Sequence, residues 1–176
     1  MAVTMQSARP DATEYAPFYA NYVAAVPEAD VVSALRNSGQ EITAALSAIP
    51  ESRGGFRYAD GKWSIRELIG HVIDAERIFT YRALRLARGD STPLPAFEEN
   101  EYVRVAGSDA RTVADLVDEL RAVRESTVRM FASFPEEAWT RTGTVSGRPA
   151  SVRALAYITA GHARHHLAIL RDRYGI

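Results

Sequence analysis

Between Val31 and Ile49 the apolar residues Val31, Val32, Leu35, Ile42, Leu46 and Ile49 recur at helical rather than alternating spacing, with Arg36, Asn37, Gln40 and Glu41 between them. This predicts a first helix, ended by Pro50. The glycines and polar residues of ESRGGFRYADGK then read as a loop. A second helix opens on a complete start signal: Ser64 as N-cap, Glu67 three residues on to close a capping box, and Trp63 placed to staple against Leu68. Its apolar stripe runs Ile65, Leu68, Ile69, Val72, Ala75, Phe79 and Leu86, and Gly89 lies just past its end, where a left-handed cap forms easily.

The next segment, STPLPAFEENEYVRVAGSDA, mixes prolines with both polarities and is expected to be a long connection of the kind that shapes a pocket or lid. Thr112 and Asp115 give a weaker cap before a third helix, in which Val113, Leu116, Val117, Leu120, Val123, Val128 and Phe131 keep helical phase. Pro135 stops it, and Trp139 is expected to fold back onto the bundle. TRTGTVSGRPA reads as another loop. Ser151 then caps a fourth helix that runs to about Arg173, with Gly175 beyond its end. The expected fold is all-α: a four-helix bundle with long connections, formed by residues 26–176 as a single domain behind a partly ordered N-terminal tail, residues 1–25.

Composition narrows the chemistry. The 176 residues suit one domain, and 47% hydrophobic with 24% charged residues describes a globular chain. A formal net charge of -1 gives no global pull toward nucleic acid or an anionic membrane, so neither is expected as a partner. There is no cysteine, which excludes disulfides, thiolate metal sites and cysteine nucleophiles and leaves His, Asp and Glu as metal ligands. The opening MAVTMQSARPDATEY has no basic start followed by an apolar run, and no apolar stretch approaches the roughly 20 residues that span a bilayer. A cytoplasmic location is the expectation.

Three of the four histidines fall in GHARHHLAIL on the fourth helix. At about 100° per residue, His162 and His166 occupy the centre of the stripe formed with Leu155, Ile158, Thr159, Ile169 and Leu170, while His165 sits at its edge. Two imidazoles thus point where leucine is expected. An i, i+4 pair on a rigid helix can converge its lone pairs on a divalent ion, but a pair alone binds loosely and needs a third ligand. The fourth histidine, His71, lies midway along the second helix. It shares a side with Glu67 and Asp74, either of which is a candidate to orient its ring, and His165 is a third supporting candidate. A lone histidine beside an apolar stripe is more often a satisfied core residue than a ligand. Here all four fall on two helices expected to pack together, and burying several imidazoles unpartnered costs about 1–3 kcal/mol each.

The stretches GKWSIRELIGHVIDAERIFTYRALRLARGD, EENEYV and SVRALAYITAGHARHHLAILRDRYG, in this helix order, resemble the DinB-like superfamily of metal-binding four-helix proteins. The resemblance spans about Val26 to Tyr174 and is most specific in the Trp-Ser start, GHVIDAER and the closing Gly-His-x-x-His-His. It implies a divalent metal ion, zinc or nickel, held by His71, His162 and His166, and it implies a homodimer. Relatives include bacillithiol S-transferases and mycothiol-dependent maleylpyruvate isomerases, which use a low-molecular-weight thiol, and proteins described as metal-dependent hydrolases. Two functions are expected as alternatives: a metal-dependent S-transferase or hydrolase acting on a small molecule, from the three-histidine set, or, because no general base is clear, a non-catalytic dimeric metal- or ligand-binding stress protein.

Three imidazoles leave a coordination position for water or substrate. The pair reads H-A-R-H-H and lacks the glutamate of H-E-x-x-H, which disfavours peptidase chemistry. The catalytic base is left open among Asp74, Glu76, Glu67, His165 and hydroxide on the metal itself. Glu67 has its capping role, and Glu76 on the core-facing side needs a partner such as an arginine. Arg77, Arg82, Arg85 and Arg88 are expected on a solvated face, with anion binding as the alternative, and Tyr81, Tyr102 and Tyr157 are expected to pack rather than to line a pocket.

Overall fold

The computed structural model describes residues 8–176. Among them are six α-helices, α1 (Ala20–Ala24), α2 (Val31–Ser47), α3 (Ile65–Ala87), α4 (Glu99–Ala106), α5 (Val113–Ala132) and α6 (Val152–Tyr174), and one hairpin of β1 (Thr142–Val145) and β2 (Arg148–Ser151). α2, α3, α5 and α6 are the four long helices the periodicity predicts, and they form the bundle. Their starts are set by side chains that accept otherwise unpaired N–H groups, each such cap contributing about 1 kcal/mol. Asp30 accepts from Val32 and Ser33 at 3.2 and 3.1 Å. Ser64 and Glu67 close their capping box at 3.1 and 2.9 Å. Thr112 accepts from Asp115, and Ser151 from Ala154, at 3.1 and 3.0 Å. Past the ends of α3 and α6, Gly89 and Gly175 adopt φ of 78° and 66°, the left-handed conformation expected of them.

α2 packs against α5 and α6, and α3 packs against the same two helices. The consecutive helices α2 and α3 therefore stand at diagonal corners. Residues 48–64 cross the end of the bundle between them, pinned where Arg53 Nη2 donates to the Tyr174 carbonyl at 2.7 Å.

Two apolar clusters fill the interior. One gathers Val23, Leu35, Phe79, Phe131, Trp139 and Leu155 near the hairpin, and Trp139 is 1% exposed, folded back as its position after Pro135 predicts. The other gathers Ile42, Ile65, Leu68, Leu116, Leu167 and Leu170 at the opposite end. Between them lies a polar layer. In it Glu76 of α3 accepts from Arg124 of α5 through two bonds of 2.8 Å, and Arg124 also donates to the Leu35 carbonyl and to Ser38 Oγ, each at 2.7 Å. Glu76 thus has the arginine partner its core-facing position requires.

The two stretches expected to be irregular carry structure. Within the α3–α5 connection, Glu98 caps α4 by accepting from Asn100, and Gly107 ends it at φ 67°. Within the α5–α6 connection, Thr142 pairs with Ser151 and Val145 with Arg148 around a two-residue turn, Ser146-Gly147, in which both φ values are positive, 51° and 73°. Leu94 then bonds to the hairpin through Leu94 N–H to the Thr144 carbonyl and Ser146 N–H to the Leu94 carbonyl, both 2.9 Å. The N-terminal segment packs as well. α1 lies along α6, Arg9 donates to the Val23 carbonyl at 2.8 Å, and Glu14 accepts from Ser151 at 2.6 Å. Residues 1–7 of the expected tail lie outside the described residues.

Candidate metal site

His162 and His166 stand one turn apart on α6, and the ring of His71 meets them from α3. Nε2 of His162 lies 3.2 Å from Nε2 of His71 and 3.0 Å from Nε2 of His166. One ring nitrogen from each of the three lies within 4.8 Å of the other two. The rings are 4%, 4% and 6% exposed. Aromatic neighbours hold them: the Trp63 ring lies tilted against His71 at 4.7 Å, and Tyr22 and Phe79 each meet the His162 ring edge-on at 5.4 Å.

Burial disfavours the imidazolium form. It lowers the pKa of His71 to about 4, with the nearby His165 adding to the effect. His162 and His166 are held well below the ordinary histidine range, first by burial and then by neighbouring histidines. All three are neutral at physiological pH, with lone pairs available.

Hydrogen bonding alone leaves this arrangement unsatisfied. A neutral Nε2 either carries one proton or offers one in-plane lone pair, so His162 Nε2 cannot form a full hydrogen bond to both neighbours at once. A cation resolves the conflict. In a tetrahedral set with bonds of about 2.0–2.1 Å, ligand nitrogens stand about 3.3 Å apart, which matches the shorter separations seen here. The three side chains therefore fit a divalent ion by spacing, neutrality and donor type. His166 Nδ1 is buried without an acceptor among the described residues.

Of the supporting residues expected from sequence, the two carboxylates are engaged elsewhere and His165 lies beside the cluster. Glu67 is held by its capping box and by Arg57 Nη1 at 2.5 Å. Asp74 faces Arg77 at 3.9 Å, and burial raises its pKa. Neither carboxylate orients His71, because each is drawn to an arginine or to the helix start. His165 is half-buried against Tyr22 and His166, with ring centroids at 5.0 and 5.2 Å. The carboxylate that approaches the cluster is Glu99 of α4, whose Oε2 is 3.9 Å from His71 Nε2. Burial, then the adjacent Glu98, raises its pKa.

A cavity of about 470 Å³ opens onto His71 and His162, and one of about 290 Å³ onto His165 and His166. Tyr22 and Glu99 line both. Tyr19 and Tyr22 are the tyrosines at the first cavity. Tyr81 and Tyr102 are exposed, and Tyr157 is buried in the core. The arginines of α3 divide too. Arg77 pairs with Glu119 at 2.6 Å, Arg85 with Asp90, and Arg88 lies over the Phe134 ring at 5.7 Å. Arg82, expected on a solvated face, is buried in the cavity wall.

The sequence does not single out Glu99, and it puts Arg82 on a solvated face with anion binding as the alternative, for different reasons. α4 is only eight residues long and buries only Val103, too little for a periodic signal, although Glu98 and Gly107 bracket it as cap residues. The hairpin facing Arg82 was signalled by Ser-Gly between TGTV and RPAS.

Comparison with known sequences gives a consistent family. The sequence model of the DinB superfamily matches residues 34–170. A protein named "Putative metal-dependent hydrolase" from Oceanobacillus iheyensis is 26% identical over 117 residues, 65% of this chain and 66% of its own length. A protein of the same name from Geobacillus thermodenitrificans is 22% identical over 151 residues, 82% of this chain and 84% of its own. Among solved structures, YfiT from Bacillus subtilis, described as a probable metal-dependent hydrolase with an unusual four-helix bundle topology, superposes with a TM-score of 0.72 at 14% identity, covering 96% of this chain and 94% of YfiT. A mycothiol-dependent maleylpyruvate isomerase superposes with a TM-score of 0.66 at 17% identity, over 78% of this chain and 58% of the isomerase. These structural likenesses establish the four-helix fold.

Proposed function

The chain belongs to the DinB superfamily, and from that premise we propose that it is a metal-dependent hydrolase acting on a small molecule at the three-histidine cluster. The observation that carries the reading is the position of His162 Nε2, 3.0 and 3.2 Å from two other imidazole nitrogens, a spacing one ion satisfies and hydrogen bonds do not. The names of the sequence relatives support hydrolysis as the reaction. Zinc and nickel are the proposed ions, since both suit imidazole ligands.

When bound, such an ion supplies Lewis-acid chemistry, polarising a substrate oxygen and lowering the pKa of water to about 7. His71, His162 and His166 would hold it. The rings of Trp63, Tyr22 and Phe79 pack against the imidazoles and limit their rotation. Glu99, whose side chain is 54% exposed at the cavity edge, accepts the proton from the attacking water. A second reading, thiol S-transfer, draws on the two cavities that share Tyr22 and Glu99, which give two reactants separate approaches to the cluster. A homodimer is part of the proposal, and sedimentation velocity reads it directly.

Purified protein is expected to carry about one divalent ion per chain, and His162→Ala to lose both the ion and turnover of simple esters or amides. Turnover confined to mixtures of a thiol and an electrophile would select S-transfer instead. A folded chain that binds no divalent ion, or keeps it without His162, would sink both readings.

A further inference from the structure

Two arginines are buried among the described residues, and of these only Arg124 has a carboxylate partner there. Arg124 has the bidentate carboxylate of Glu76. Arg82, 2% exposed, pairs with no carboxylate among the described residues, and residues 1–7 contain no acidic residue. Its Nη2 donates to the Pro95 carbonyl at 2.7 Å and to Ser146 Oγ at 3.2 Å, while Nη1 is buried with no acceptor among the described residues. The Phe97 ring, 5.6 Å from the guanidinium carbon, contributes a π face but no charge. Neighbouring Tyr19 lies close enough to interact with the guanidinium through its hydroxyl, but burial raises the pKa of that phenol, so it brings no charge. A guanidinium desolvated in this way without an anion is an incomplete ion pair.

The missing partner has one approach. Arg82 lines the same cavity as His71 and His162. His71, Ala75, Phe79 and Arg82 follow at i, i+4, i+8 and i+11 on α3, so one face of one helix forms the cavity floor from the cluster to the guanidinium. The Cα positions of His71 and Arg82 are about 16 Å apart along the axis, three turns of the same helix. Ser146 is built for this position. It is the one non-glycine with positive φ among the described residues, at a turn position that favours Asn, Asp or Gly, and its hydroxyl receives Arg82. No other Lys or Arg lines the cavity, so Arg82 is its one cationic side chain. Of its acids, Glu99 stands at the His71 end, and Glu98 accepts the Asn100 N–H as a helix cap.

We propose that Arg82 recognises a carboxylate on the substrate, so that the small molecule acted on is an anionic one, with its reacting bond over His71 and His162 and its carboxylate at Arg82. A single planar fork with one uncompensated charge matches a monoanionic carboxylate; a phosphate dianion calls for more donors than the wall provides. The assignment of the reacting end rests on the hydrolase reading above; the carboxylate contact does not require the ion.

The test titrates hexanoate and hexanamide, equal in length and differing in charge, into the full chain after dialysis against a chelator, with binding followed by 1H–15N spectra. Hexanoate is expected to bind at least about tenfold more tightly, with shifts in residues around Arg82. Arg82→Met, checked for its circular dichroism and melting temperature, should abolish the preference, and Arg82→Lys should retain part of it. Should Arg82→Met not fold, Ser146→Ala, which removes one oxygen holding the guanidinium, should narrow the preference. Equal affinity of the wild-type chain for the two probes would overturn the proposal, as would an undiminished preference in a folded Arg82→Met chain. Because the chelated chain carries no ion, this outcome is independent of the metal content and turnover on which the hydrolase reading stands.

Discussion

Gly161 of α6 lies directly beneath the backbone carbonyl of Tyr22 in α1, so close that a Cβ at Gly161 would overlap that oxygen. The contact lets α1 seat on α6 one residue before His162, and α1 in turn presents Tyr22 to the His162 ring. A glycine in mid-helix ordinarily destabilises by about 1 kcal/mol relative to alanine. Here it is retained where two backbones touch.

Gly161→Ala should therefore reverse the usual sign. Instead of the gain expected from helix propensity, we expect a loss of about 1–3 kcal/mol, the cost of overpacking against backbone that cannot rotate away. Urea unfolding measures it, and limited proteolysis should show the segment before α2 cut faster than in the wild type. A Gly161→Ala chain more stable than wild type would refute the close approach.

The Glu76–Arg124 pair predicts an asymmetry between single and double replacements. Arg124→Met leaves a buried carboxylate without a partner and should cost about 3–5 kcal/mol. Replacing both, Glu76→Leu with Arg124→Met, should cost far less than the sum of the single changes. A double-mutant cycle by urea denaturation reads the coupling.

Glu99 separates two roles by one substitution. As the group that accepts a proton, Glu99→Gln should lower kcat by about a hundredfold while the bound ion stays near wild-type content. Mass spectrometric metal analysis beside steady-state kinetics gives both numbers. Loss of the ion in Glu99→Gln would make Glu99 a fourth ligand instead.

Arg164 of α6 joins Glu28 at 2.6 Å and Glu41 at 2.9 Å, tying α2 and the segment before it to α6. Hydrogen bonding from Arg164 lowers the pKa of Glu28 from its ordinary 4.5 to about 2. Because the folded-state value lies below the unfolded one, the stabilisation is fully present above pH 4.5 and is lost as pH falls toward 2. With solvent screening at this partly exposed pair, about 1 kcal/mol is expected to disappear over that window. Arg164→Gln should flatten this part of the stability curve, measured by thermal unfolding across pH.

Local signals carried most of the helical architecture. Ser64 with Glu67, Thr112 and Ser151 sit within one turn of the N–H groups they accept, so α3, α5 and α6 begin where those residues place them. The phase of His162 and His166 was equally legible, because helical spacing alone puts residues four apart on one face. The same logic named Glu67 and Asp74 as neighbours of His71. It failed there because sharing a face does not decide which group a carboxylate meets, and arginines at 57 and 77 lie closer to hand.

From the chain alone came the all-α class, the four long helices, the capping residues and the inward placement of imidazoles on α6. The tertiary structure alone decided that α2 and α3 stand on the diagonal, that α1 and the hairpin wall a cavity beside the histidines, and that Glu99 and Arg82 face into it. The physical reason is range. Caps and periodicity act over a few residues of one helix, whereas the cavity joins residues from 18 to 162, whose meeting depends on which apolar faces pack and how the connections cross between them.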